Sequence, residues 1–183
     1  GNETFLVLGT TNAGKVRGPE IERAAAGGDP RAHRLPRPLA NDRDRLDMSF
    51  SGLKTALRYR VRPPGTAADG PPPRGQDLAD LAASFQRAVV DAILAKVELA
   101  IDRSGCRAVA VGGGVAANTL LRESLAALAG RRGLRLFIPP RSLCTDNAAM
   151  GAIAWERLER GEDDGLGLDV TPGTDRAASR PKP

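Results

Sequence analysis

The chain has 183 residues and is 41% hydrophobic, with four Phe, one Tyr and one Trp, so it can build one domain or two small lobes on aliphatic and small side chains rather than on rings. Its 27 Lys and Arg against 22 Asp and Glu leave a formal charge of +5, which suits a polyanion such as nucleic acid; no consecutive basic block is present, however, and the same excess can serve solubility. Cys106 and Cys144 lack CxxC spacing, which argues against a disulfide framework; no apolar run reaches the roughly 18 residues of a membrane span, and the first residues lack a signal-peptide layout, so the expectation is a cytoplasmic protein with no membrane partner.

Thr4 to Leu8 is a run of strand formers stopped by Gly9 and predicts a strand. Pro19 to Ala26, closed by Gly27-Gly28, predicts a short helix with proline in its first turn. A polar, proline-punctuated stretch follows from Asp29 to Asp47. It carries His33, the one histidine of the chain, which has no partner at ligand spacing and is expected in solvent. Ser49 to Val61 predicts a helix in which Leu53, Ala56, Leu57 and Tyr59 mark an approximate face. Arg62 to Gly75 holds five prolines and three glycines and reads as a loop or linker.

From Asp77 to Arg103 apolar residues return every three or four positions, from Leu78 and Leu81 through Ile93 and Val97 to Ile101. With Asp77 as N-cap and Gly105 as stop, this predicts a helix of roughly 27 residues and about 40 Å. Ala108 to Val111 then reads as a buried strand, Thr119 to Leu128 as a helix and Leu134 to Ile138 as a second strand, forming a βαβ unit. Asn147 to Arg160 predicts another helix, closed by Gly161, and the remainder lacks periodicity and reads as a loose tail. The fold class expected from this order is α/β, without internal repeats.

Gly112-Gly113-Gly114 joins the buried strand to its helix. Bare backbone at the end of a strand, facing a helix N-terminus, lets a phosphate or ribose approach the main chain; the alternative is a tight turn requiring positive φ. Gly112 to Ala117 also fits the G-x-G-x-x-A dinucleotide pattern of an NAD(P)-dependent oxidoreductase. The acidic residue expected about 20 positions later is absent from Phe137-Ile138-Pro139-Pro140-Arg141. Asn118 can donate to and accept from a ribose or base edge, or simply cap the helix. Asp146, in Cys144-Thr145-Asp146-Asn147, can cap the next helix or ligate a divalent metal, and its spacing favours the cap.

Several ordered stretches resemble one family. "GPEIERAAAGGD" at Gly18, "LPRP" at Leu35, "SFSGLKTA" at Ser49, "ASFQRAVVDAILAK" at Ala83, "VGGGVAANTLLR" at Val111 and "CTDNAAMGA" at Cys144 together resemble the C-terminal half of the tRNA threonylcarbamoyladenosine-forming transferases, from about Leu8 to Pro172. The resemblance implies a fold of the actin, Hsp70 and sugar kinase class, two α/β lobes with a nucleotide between them. In that frame residues 1–48 are a remnant of the first lobe and a connecting segment, 49–162 the C-terminal nucleotide-binding lobe, and 163–183 a loosely ordered tail. The implied activity moves a threonylcarbamoyl group from threonylcarbamoyl-AMP to N6 of the adenosine beside the tRNA anticodon. Gly18 and Asn118 match nucleotide-binding positions, and Gly113 and Gly114 of the glycine turn are expected to offer their backbone N–H groups to the same ligand. Asp146 matches a metal-ligand aspartate, for iron or zinc, which reverses the preference drawn from its spacing.

The implied partners are tRNA, a paralogous subunit of the same fold and an accessory ATPase. The family's N-terminal half, with its His-x-x-x-His pair and glycine-rich substrate loop, has no counterpart here, and the segment before Gly18 lacks the family's nucleotide-contacting aspartate. The expectation is therefore a chain without most of the first lobe, with an impaired metal site and no activity alone. No catalytic side chain is assigned. A non-catalytic scaffold module of the same fold is the alternative reading.

Overall fold

A computed structural model describes residues 5–10, 18–62, 72–144 and 155–162. The chain divides into a unit spanning Gly1–Thr145 and a second spanning Asp146–Pro183. In the first unit the order is β1 (Phe5–Thr10), α1 (Gly18–Ala24), α2 (Ser51–Val61), α3 (Gly75–Ser104), β2 (Ala108–Gly113), a 3-10 turn (Gly114–Ala117), α4 (Thr119–Arg132), β3 (Arg135–Phe137) and a second 3-10 turn (Arg141–Leu143). In the second unit residues 155–159 are helical, where the tail end of a helix from Asn147 is expected. The Pro-rich stretch at 63–71, the start of that last helix, Asp146 and the tail from 163 onward lie outside the described residues.

The strands form a parallel sheet in the order β1-β2-β3, with Phe5 opposite Ala108, Gly9 opposite Gly112 and Ala108 opposite Arg135. β2 is the middle strand, and its Ala108, Val109 and Val111 are buried, as a parallel strand with covered faces requires. The βαβ unit predicted from the hydrophobic pattern is present, with α4 as its crossover. Its core joins Ile93, Val97 and Ile101 of α3 to Val109 and Val111 of β2 and Leu121, Leu125 and Leu128 of α4. Those three leucines are at most 2% exposed, and burying each is worth roughly 1.5–3 kcal/mol of transfer free energy.

The helix α3 runs over 30 residues and ends at Gly105 in the left-handed conformation, as expected. Its start differs from the expectation. It begins at Gly75 rather than at Asp77, and its N-cap Arg74 makes no side-chain capping bond. Gln76 explains the earlier start, because its amide donates to the Gly27 carbonyl at 3.2 Å and to Asp80 Oδ1 at 2.7 Å, which fixes the first turn against the chain leaving α1.

His33 is also placed differently from the expectation. Its side chain is 19% exposed and lies 3.4 Å from Asp77, and its backbone N–H donates to the buried Ser84 Oγ. The whole stretch from Gly28 to Arg45 is strapped to α3. A Cβ on Gly28 would sit 2.1 Å from the Ala79 carbonyl oxygen, so only glycine permits that approach. Asp80 accepts from the Asp29 N–H at 2.8 Å, and this bond, with the Gln76 amide second, holds its carboxyl below the usual carboxylate range. Lys96, 3% exposed, donates to the carbonyls of Asp42 and Arg45, which satisfies an ammonium inside the fold. Leu35 and Leu53 form a second small core with Ala88, whereas Tyr59, expected on the same face of α2, is 51% exposed.

Candidate nucleotide site at the glycine turn

At the end of β2 the three glycines have different roles. Gly113 has φ 89° and ψ 169°, a region open essentially to glycine alone, so the turn itself explains this residue. Gly112 and Gly114 have no positive φ, and a Cβ at either would meet nothing within 4 Å. Neither turn geometry nor packing among the described residues demands their bare backbone. Close approach by a ligand remains as a physical reason for them.

Beyond the turn, Asn118 starts α4. Its Oδ1 accepts from the Leu121 N–H at 3.0 Å, the capping bond, and its Nδ2 donates to Gln86 Oε1 of α3 at 3.1 Å. Each end of the amide keeps one further hydrogen-bonding position. The capping and ligand readings of Asn118 are thus compatible. Glu22 of α1 reaches the same helix end: its Oε1 accepts from the Thr119 N–H at 3.0 Å and from the Thr119 hydroxyl. Arg141 also donates to that hydroxyl, at 2.6 Å. Arg122 donates to the carbonyls of Ala116 and Pro139, both at 3.0 Å, and so ties the 3-10 turn to the loop after β3.

A carboxylate at the first turn of α4 offsets the positive end of the helix. The anion within the chain at this helix end is Glu22. A ligand phosphate at the first turn would meet a negative charge, while a ligand hydroxyl could donate to Glu22 Oε2.

Gly18, expected at a nucleotide, is the first residue of α1, one helical turn before Glu22. Through Glu22 the helix that begins at Gly18 meets the first turn of α4. Asp146 lies outside the described residues. Among the described residues no three His, Cys, Asp or Glu side chains converge on one point, and the described part of the chain offers no metal centre. Cys106 and Cys144 are buried and free. After β3 the chain continues through Ile138-Pro139-Pro140-Arg141, so no carboxylate stands where a dinucleotide fold holds its ribose.

Sequence reasoning missed Glu22, Gln86, Thr119 and Arg141 as parts of this junction. Gln86 left a trace, as a polar residue beside the apolar stripe of α3. The other three left none, because Glu22 and Thr119 are 97 positions apart.

The sequence profile of the family described as tRNA N6-adenosine threonylcarbamoyltransferase matches residues 3–153. Relatives of that name include the protein of Geobacter metallireducens, 48% identical over 84% of this chain and 43% of the relative. The protein of Methylobacterium sp. is 50% identical over 78% of this chain and 40% of its own length. That of Cereibacter sphaeroides is 46% identical over 93% of this chain and 47% of its own length. The chain therefore spans less than half the length of these curated relatives. No described helix is long and apolar enough to cross a membrane. With the glycine turn and most of the chain within the match, this chain belongs to the tRNA N6-adenosine threonylcarbamoyltransferase family.

Proposed function

We propose that the chain contributes the nucleotide-holding half of a tRNA-modifying transferase, with the two-lobed fold of the actin, Hsp70 and sugar kinase class, acting in the cytoplasm. The observation that carries this reading is the pair Gly112 and Gly114, bare of side chains with open space before them, beside Glu22, Thr119 and Asn118.

In this reading the adenosine of threonylcarbamoyl-AMP lies over the glycines. A ribose hydroxyl donates to Glu22 Oε2, Asn118 supplies its remaining donor and acceptor, and Gly18 opens the helix that carries Glu22. Arg141, which meets the same Thr119 hydroxyl as Glu22, supplies a cation for the phosphate. The N6 amine of the tRNA adenosine then attacks the carbamoyl carbon. A C–N bond forms, the C–O bond to phosphate breaks, the amine loses a proton, and AMP leaves on the oxygen that the bound phosphate already holds. The contribution of these residues is orientation of the donor and stabilisation of the leaving group. Asp146 is proposed as one ligand of an iron or zinc ion, as the resemblance implies, and a single carboxylate does not make a metal centre. The remaining proposed partners are a paralogous subunit of the same fold and an accessory ATPase.

The test is product formation from tRNA, threonine, bicarbonate and ATP with the upstream adenylate-forming enzyme, together with direct binding of threonylcarbamoyl-AMP. Binding that falls on Glu22→Gln and on Gly114→Ala supports the reading. A chain that binds neither threonylcarbamoyl-AMP nor tRNA overturns it, and binding of a protein partner without nucleotide favours the scaffold alternative.

A further inference from the structure

A groove of about 540 Å3 lies between the chain after α1 and the outer side of α2, lined by Arg34, Leu35, Ala56, Tyr59 and Arg60. Its floor is fixed, because Leu35 is 3% exposed and packs with Leu53 and Ala88. Its walls are the exposed Arg34 and Arg60, and the half-exposed ring of Tyr59 stands at its edge. Lys54 and Arg58, one turn apart on α2, continue the positive charge, and no acidic residue occurs between Ser49 and Arg62.

Several arginines elsewhere on this unit have carboxylate partners. Arg37 and Arg87 share Asp91, Arg45 meets Asp42, and Arg132 meets Asp102. Arg34, Lys54, Arg58 and Arg60 have none among the described residues. Like charges one turn apart on a helix repel, so an uncompensated cluster of this kind is stabilised by an external polyanion. An aromatic ring set between cations narrows the choice further. Phosphates satisfy the guanidinium groups and a base satisfies the ring, and both come together in a nucleic acid whose bases are unstacked.

From this juxtaposition we infer that the groove holds a single-stranded segment of RNA, with one base stacked on Tyr59 and the flanking phosphates on Arg34 and Arg60. The choice of RNA among polyanions rests on the tRNA reading above. The groove is built from α2 and the chain at Arg34, and shares no residue with the glycine turn.

The experiment is fluorescence anisotropy of the full chain with a labelled single-stranded RNA oligonucleotide and with unmodified tRNA. Tyr59→Ala should weaken both about 5- to 150-fold, the range of one lost base-aromatic stack, and Tyr59→Phe should restore binding. Arg34→Gln and Arg60→Gln should each lower the salt slope by about 0.7, the value for one single-strand phosphate contact. An unchanged melting temperature shows that these exposed substitutions leave the fold intact. If the variants bind tRNA as the wild type does, the groove assignment fails and the tRNA reading stands. If the wild type binds no RNA, both fail. Preferential binding of a phosphopeptide or of phosphatidylserine vesicles, lost in the same variants, gives the groove to a different anion and overturns the RNA assignment.

Discussion

The two longest described helices begin differently. α3 starts without a side-chain cap, is tied to the chain after α1 by Gln76 and Asp80, and buries twelve of its 30 residues. α4 buries four of its 14, and its first turn receives the Asn118 cap and the Glu22 carboxylate, with Arg141 bonded to Thr119. Hydrophobic burial is non-directional and tolerates small shifts, whereas hydrogen bonds fix atoms to within tenths of an ångström. Side chains hold the free backbone N–H groups of the helix only at the start of α4, the end that adjoins the glycine turn.

The largest expected break in this contrast is Ile93→Ala. It removes a side chain 3% exposed at the centre of α3 and should cost about 2–5 kcal/mol in denaturant unfolding. Gly113→Ala forces a methyl group into a conformation reserved for glycine and should cost about 1–3 kcal/mol, measured in the same way.

A sharper comparison sets the two helix starts side by side. Asn118→Ala should cost about 1 kcal/mol and Asn118→Asp should recover most of it, while Asp77→Ala at the start of α3 should change stability by less than about 0.5 kcal/mol. Equal losses at the two ends would remove the distinction between them.

Acid gives a weaker handle on the strapping of the Asp29 region to α3. The folded Asp80 carboxyl titrates below its unfolded value, so its stabilisation is complete above the ordinary carboxylate range near roughly pH 4 and is lost as pH falls through the depressed value. The melting temperature of Asp80→Asn should therefore fall less than that of the wild type on going from neutral pH to about pH 2. An identical acid response in both would show that this contact is not linked to folding.

The scaffold was legible in the sequence and the junction was not. α3 showed itself because its apolar residues repeat over many turns, and β2 because Ala108 to Val111 is a continuous apolar run closed by glycine. The strand, glycine turn and helix from Ala108 to Leu128 followed from the same pattern, with a 3-10 turn added between glycine and helix. The misplaced details depend on contacts distant in sequence. Gln76 moved the start of α3 by reaching Gly27, Asp77 faced His33 instead of capping, and Glu22 met Thr119 across most of the chain. Propensity and periodicity describe neighbours along the chain, and none of these pairs are neighbours. Tyr59 fits the apolar spacing of α2 by number, yet the small core beneath that helix is filled by Leu35, Leu53 and Ala88, which leaves the ring at the surface.

The central claim is that the bare backbone at Gly112 and Gly114 is there for an adenosine ligand. Amide chemical shifts followed by NMR while AMP is added to the full chain test it most directly, with Gly114→Ala as the comparison. Saturable shifts are expected in the wild type at Gly112 through Thr119, along α1 from Gly18 to Glu22 and at Arg141, with their loss in Gly114→Ala at an unchanged melting temperature. Shifts that survive in Gly114→Ala, or that fall elsewhere on the chain, would contradict the claim.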